Sequence, residues 1–365
     1  MTRFPKTNLL AETAKKRPVS PSEPQLNCGT YTPQKFIALY VHWPFCLSKC
    51  PYCDFNSHVA NDVDHKIWQR ALLSELEYFA ERTAGRVLQT VFFGGGTPSL
   101  MPAEIVAAVL QEVSRHWKMA ENLEVTLEAN PSSSEITKFL DFRRAGVNRI
   151  SIGVQSFNDN SLVFLGRGHS ANSARSAVLE ALQCFERVSF DLIYALPEMD
   201  IRNWVSELKT ALTLETGHLS LYQLSIEKGT PFYSAHRNGA FTIPGEELAH
   251  DLYKITNELM ENAGYCAYEV SNYAMKGREC RHNMIYWQGG DYVGVGPGAH
   301  GRLTLDGARV RTEQMSAPEN WLSATMSEGH GTRIYEPLAL SEQVDELLLT
   351  GLRLRTGVDR GAFKT

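Results

Sequence analysis

The 365-residue chain has no apolar run near the roughly 18 residues that a membrane-crossing helix needs. It also lacks the charged start and short apolar stretch that direct secretion. Neither a transmembrane segment nor export is expected, and the expected location is cytoplasmic. Positive charge is not in excess: 36 Lys+Arg against 41 Asp+Glu leave a net charge of −5. Proteins that coat nucleic acid need a basic footprint, so nucleic acid is not an expected partner. Low-complexity sequence is absent beyond the first thirty residues, and no internal repeat is seen. An even cysteine framework is missing too. Seven cysteines in an unsecreted chain argue against disulfides and for metal or redox use.

What is present is a globular composition, 43% hydrophobic and 10% aromatic. Residues 1–33 read as a disordered basic tail (Arg3, Lys6, Lys15, Lys16, Arg17), with a mitochondrial transit peptide as the alternative, against which Glu12 and Glu23 count. From there β-rich and amphipathic runs alternate. Strands are expected at 36–41, 87–93, 123–127, 149–154, 188–194 and 218–224, with helices at 67–79, 102–117, 134–144, 170–185 and 201–214 between them. Such alternation with short connections predicts parallel strands with right-handed crossovers. Six units fall short of the eight of a full barrel, so the expected fold is α/β: a partial (β/α)6 barrel over 34–244. The pattern changes near 245, and residues 245–365 read as a smaller α+β domain. It would hold a helix at 246–263, short strands at 265–273 and 285–288, and a Leu-rich helix at 341–354.

Three cysteines cluster as Cys46-Leu-Ser-Lys-Cys50-Pro-Tyr-Cys53, in the loop after the first strand. Thiolates hold iron–sulfur clusters, and three ligands on a four-iron cube leave one iron open to a small molecule. A zinc site completed by His42 or His58, or chance clustering, are the competing readings. Cys28, Cys184, Cys266 and Cys280 are scattered and read as small buried hydrophobes. The second strand ends in Gly94-Gly-Gly-Thr97-Pro, which is neither a P-loop nor a dinucleotide fingerprint. Glycines there let a ligand approach the backbone, though a tight turn alone would also use them. Glu128, Gln155 and Asp191 recur at later strand ends, and in parallel barrels these ends face the active site.

Together with Glu128-Ala-Asn-Pro, Val154-Gln-Ser-Phe and Asp191-Leu-Ile-Tyr-Ala-Leu-Pro, these motifs resemble radical S-adenosylmethionine proteins. Within that superfamily they resemble the coproporphyrinogen-dehydrogenase-like branch, over residues 36–360. The resemblance implies a [4Fe–4S] cluster on Cys46, Cys50 and Cys53, with S-adenosylmethionine on the open iron. It sets Tyr40, Gly95 and Glu128 at positions that contact this molecule. It sets Tyr52, Gly96, Thr97, Gln155, Arg167 and Asp191 around a second one in the decarboxylating enzyme. Glycine backbone would meet the methionyl ammonium, an acid would meet ammonium or ribose hydroxyls, and Arg167 would meet a carboxylate.

Two departures distinguish members of the branch. The dehydrogenase has a further cysteine two positions after the last ligand, where Phe55 stands here, and a longer structured segment before the first strand. Both departures match the HemW group, regarded as haem chaperones. Arg281-His282-Asn-Met-Ile-Tyr286-Trp287 also resembles that group's haem-binding motif, which makes His282 a candidate axial ligand. A His-Asn pair that satisfies backbone groups before a packed aromatic strand is the competing reading. The expected function is therefore haem binding and transfer to an acceptor haemoprotein, with a homodimer possible. An oxygen-independent coproporphyrinogen III oxidase is the alternative, and a radical enzyme acting on RNA is a weaker one.

Overall fold

The computed structural model describes residues 35–60 and 62–363. The expected tail, 1–33 with Cys28, lies outside the described residues. The first half is a regular alternation: β1 (Phe36–Trp43), α1 (His65–Arg82), β2 (Val87–Gly95), α2 (Ala103–His116), β3 (Lys118–Ala129), α3 (Phe139–Ala145), β4 (Arg149–Gln155), α4 (Ala171–Cys184), β5 (Arg187–Tyr194), α5 (Ile201–Leu212) and β6 (His218–Gln223). Each strand pairs parallel with the next, from β1 to β6. This is the partial (β/α)6 barrel expected from the alternation.

Local chemistry sets the helix ends. The Asp64 carboxylate accepts from the backbone of Lys66 and Ile67 and starts α1 two residues ahead of its apolar stripe. Ser170 and Asp200 cap α4 and α5 in the same way. Gly146, at φ 112, ends α3 in the left-handed region. The helix expected at 134–144 is two short ones, Ser133–Ile136 and Phe139–Ala145.

The barrel strands divide their side chains by period two, apart from a bulge in β2 between Leu88 and Thr90. Ile37, Leu39, Val41 and Trp43 of β1 join the buried apolar cluster with Trp68, Leu72, Leu76 and Phe79 of α1. Each such side chain contributes about 1.5–3 kcal/mol on burial. Val125 and Leu127, Ile150 and Ile152, Phe190 and Leu192, and Leu219 and Leu221 continue that outer layer around the barrel. Most of the alternate residues are polar, and many are buried: Thr90, Glu124, Thr126, Arg149, Ser151, Ser189, His218 and Ser220. The lumen is therefore a polar column inside an apolar sleeve.

After β6 come α6 (Glu246–Asn262), β7 (Cys266–Ala267), β8 (Asn272–Ala274), α7 (Arg281–Trp287), β9 (Tyr292–Val295), β10 (His300–Leu305), β11 (Ala308–Gln314), α8 (Pro318–Glu328), β12 (Thr332–Pro337) and α9 (Leu340–Gly351). The strands extend the barrel sheet at both edges, in the order β12-β11-β10-β9-β1-β2-β3-β4-β5-β6-β8-β7. β9 lies parallel to β1, with Ala38 opposite Tyr292, and β8 lies antiparallel to β6. The segment that carries α7 connects β8, beside β6, to β9, beside β1, and sets His282 against Thr90 of β2 and Glu124 of β3. Its second half, expected as a strand at 285–288, is helical. His282 and Ile285 are buried at a spacing of three, and His282 bonds Tyr286 at a spacing of four, which is the helical period. Cys280 is buried as expected, but Cys184 is half-buried and Cys266 is exposed on the short β7.

Glu75 pins α1 to this second half. Its buried carboxylate accepts from Gly296 N and Gly331 N, both at 2.7 Å, and from Trp321 Nε1 at 3.0 Å. Burial pushes its pKa up to about 7, against the pull of those donors.

Candidate functional site: the cysteine loop and the barrel mouth

The chain leaves β1 through Phe45–Cys46, which pairs parallel with His58–Val59 and closes the loop that carries Cys50 and Cys53. Cys53 N bonds Cys50 O at 3.1 Å, and Phe232 N bonds Pro51 O at 2.9 Å, so the loop is held from within and from outside. All three thiols are half-buried and free. Burial pushes the Cys46 thiol upward in pKa, and a hydrogen bond from Thr97 opposes this.

The glycine turn has a double role. Gly96 N donates to Trp43 O at 2.7 Å and Thr97 N to Phe45 O at 2.9 Å, so these two amides hold the cysteine loop. A side chain at Gly96 would meet Pro44 O and Phe45 O at 2.8 Å, and Gly95, at φ +117, backs onto His42. Close packing of protein on protein therefore requires these glycines, alongside any ligand. The Gly95 amide points the other way and donates to Glu128.

The polar residues expected at the strand ends meet here. Burial, then the neighbouring Asp191, pushes Glu128 up to about 8, while the Gly95 amide and Arg149 pull it down. Asp191 is pushed up to about 6 by burial, against hydrogen bonds from Ser220 and Ser151 and the charges of Arg149 and Arg167. Two acids so placed favour an incoming cation. Gln155 ends β4 at φ 67, a left-handed backbone that non-glycine residues adopt uncommonly. The Tyr52 hydroxyl is raised in pKa by burial and lies against Cys50 and Arg167. The Tyr40 hydroxyl bonds His42 Nδ1 at 3.0 Å. His42 Nε2 faces Asn56 O at 2.9 Å, and a carbonyl only accepts, so Nε2 carries the proton and Nδ1 accepts from Tyr40.

The two histidines near the loop bond to protein groups. Both nitrogens of His42 are engaged, by Tyr40 and Asn56 O, and His58 Nε2 is held by Asn56 Oδ1 at 3.1 Å. Among the described residues no group of three His, Cys, Asp or Glu side chains converges on one ion. Each cysteine of a cube binds a different iron, so its ligands need not converge. The surroundings suit an anionic cluster: Arg167 Nη1 reaches Cys50 Sγ at 3.3 Å, the Thr97 hydroxyl reaches Cys46 Sγ at 3.3 Å, and the buried Arg167 Nε has no partner.

His282 does not join the mouth. It is 1% exposed, with Nδ1 at 2.7 Å from Thr90 Oγ1 and Nε2 at 2.7 Å from Tyr286 OH, so neither nitrogen is free for a haem iron in this arrangement. Burial, then Arg149, lowers it to about 3, and the ring is neutral. Phe55, by contrast, is 62% exposed beside the cysteine loop. Sequence reasoning quoted Asn130 only as part of the Glu128-Ala-Asn-Pro motif, with no role of its own, and missed Gly153. Each follows a lumen-facing residue by two on its strand or just beyond it, and that spacing was the available signal.

A model of the radical SAM superfamily matches residues 40–210, which hold most of β1, all of β2 to β5 and the cysteine loop. Fold and site thus define a radical S-adenosylmethionine protein. Radical S-adenosyl methionine domain-containing protein 1, mitochondrial, from Bos taurus is 43% identical over 326 residues, covering 88% of this chain and 74% of that protein. Heme chaperone HemW from Escherichia coli K12 is 40% identical over 289 residues, covering 78% and 75%. The solved coproporphyrinogen III oxidase HemN of Escherichia coli shares the fold, with a TM-score of 0.74 at 21% identity over 88% of this chain and 76% of that one. The chain belongs to the family of HemW and radical S-adenosyl methionine domain-containing protein 1. Membership of the superfamily implies a [4Fe–4S] cluster and S-adenosylmethionine. No helix among the described residues is long and apolar enough to cross a membrane.

Proposed function

We propose that this protein is a haem carrier that binds haem and passes it to an acceptor haemoprotein. Cys46, Cys50 and Cys53 would hold the cluster. Tyr40, Gly95 and Glu128 would receive S-adenosylmethionine, with Tyr52, Gly96, Thr97, Gln155, Arg167 and Asp191 completing the mouth. The cluster, when bound, supplies one electron at a time and an open iron. The residues bind and orient: the acid pair attracts an ammonium, and Arg167 balances negative charge. The observation that carries the reading is 40% identity to a protein named heme chaperone HemW, joined to Phe55 where the dehydrogenase pattern has cysteine.

The test is a pair of assays on one anaerobically reconstituted preparation. Stoichiometric haem binding without formation of the decarboxylated porphyrinogen is expected. Decarboxylation with reductant and S-adenosylmethionine would replace this reading with the oxidase. Ligation of haem by His282 requires α7 to lift off β2. His282→Ala tests it directly: weaker haem binding supports such an opening, and an unchanged Soret band and affinity remove the residue from the site. The proposed location is cytoplasmic; delivery of a fusion of residues 1–35 to mitochondria would overturn that.

A further inference from the structure

Asn130 lies just beyond β3 at the mouth and touches neither thiol, yet it connects two of them. Its Nδ2 donates to Thr97 Oγ1 at 3.0 Å, and the Thr97 hydroxyl donates to Cys46 Sγ at 3.3 Å. Its Oδ1 accepts from Arg167 Nη2 at 2.5 Å, and Arg167 Nη1 donates to Cys50 Sγ at 3.3 Å. The amide has only one workable orientation. Flipped, it would set its NH2 against a guanidinium that has only donors, and its oxygen against a hydroxyl whose proton is already committed to sulfur.

The surroundings fix the amide in place. Asn130 N donates to Glu135 Oε2 at 2.8 Å, and that buried carboxylate also accepts from Ser99 and, at 2.9 Å, from Ser132. Arg167 Nη2 is steadied by Gly153 O at 3.0 Å. A side chain at Gly153 would press on Gln155 Nε2 at 3.0 Å and lie 3.7 Å from Asn130 Oδ1, so glycine keeps that pocket open.

We propose that Asn130 is a positioning residue for the cluster: it aims the Thr97 hydroxyl and the Arg167 guanidinium at the sulfurs of Cys46 and Cys50, and so raises the cluster's reduction potential. Donors to ligand sulfurs stabilise the more negative, reduced state of a cluster. This rests on the three cysteines holding the cluster, and is independent of the haem reading.

The experiment is a redox titration of the reconstituted full chain, followed by the electron paramagnetic resonance of the reduced cluster, with iron content measured in parallel. Asn130→Ala is expected to lower the reduced-to-oxidised ratio at fixed potential about tenfold, a shift of about 59 mV for a one-electron couple. Thr97→Val should shift it the same way by less, Thr97→Ser should restore it, and Thr97→Val should add little on top of Asn130→Ala. An unchanged midpoint in cluster-loaded Asn130→Ala overturns the proposal. Should that variant lose iron or fail to fold, the Thr97 pair decides, and equal midpoints for Val and Ser overturn it. Failure of the unaltered protein to take up a cluster would instead remove the cysteine assignment itself.

Discussion

Glu124 and Glu128 stand four residues apart on the same face of β3, one deep in the lumen and one at its mouth, and their surroundings are opposite. Glu124 meets Arg187 at 2.9 Å, Arg281 at 3.8 Å and the His282 amide at 3.1 Å. Glu128 meets the Gly95 amide, a second acid and the more distant charge of Arg149, and burial, then that acid, pushes it up to about 8. The base of the column is closed by mutual pairing. The mouth brings two acids together beside Gln155, whose backbone lies in the left-handed region. Polar residues in a lumen thus separate by depth into those that hold the barrel shut and those that await a ligand.

Substitution can break or sharpen this contrast. The largest effect is expected from Cys46→Ala, Cys50→Ala or Cys53→Ala: complete loss of the broad cluster absorption after reconstitution, with circular dichroism of the apo-chain unchanged. A variant that keeps the absorption would dissociate that cysteine from the mouth. Glu124→Ala should cost about 2–3 kcal/mol in denaturant unfolding, because it leaves the half-buried Arg187 and Arg281 and the buried His282 amide without their acceptor. Stability within 1 kcal/mol of the unaltered chain would show the base pairing to be idle.

Acid titration separates the two ends further. The folded pKa of Glu128 lies above its unfolded value of 4.5, so the folded state binds more protons between 4.5 and about 8, and stability falls as pH rises through that window. Glu75 and Asp191 add the same sign of slope only up to about 7 and about 6. Glu128→Gln should therefore flatten the loss of stability between pH 7 and 8, by at most about 1.4 kcal/mol per pH unit. An identical slope in urea midpoints would place the titration elsewhere. The smallest effect belongs to Phe55→Ser, within about 0.5 kcal/mol on an exposed site and without loss of the cluster. A marked fall in melting temperature would mean that Phe55 packs on something.

Much of this was legible beforehand. Strand–helix alternation revealed the partial barrel, and the cysteine spacing with the glycine turn located the mouth. Depth was not legible, because period two assigns a residue to a face and says nothing of which end it serves. The role of Asn130 stayed hidden because its partners, Thr97 just beyond β2 and Arg167 in the loop before α4, are distant in sequence, and only folding brings them within reach. The helical α7 was read as a strand because a short aromatic run suits either, and the choice falls to tertiary packing. The second role of the glycine turn, cradling the cysteine loop, depends on β1 lying alongside and so required the register.

The register also has a consequence for synthesis. β1 is flanked by β2 on one side and by β9 on the other, and β9 is reached only at Tyr292–Val295. Until the ribosome has released that distant stretch, one row of β1 amides and carbonyls has no sheet neighbour. Such an edge is an invitation to pair with the wrong chain. The nascent protein must therefore keep its first strand out of trouble while some 250 further residues are made, and a slow, late closure is the expected rate-limiting event in its birth.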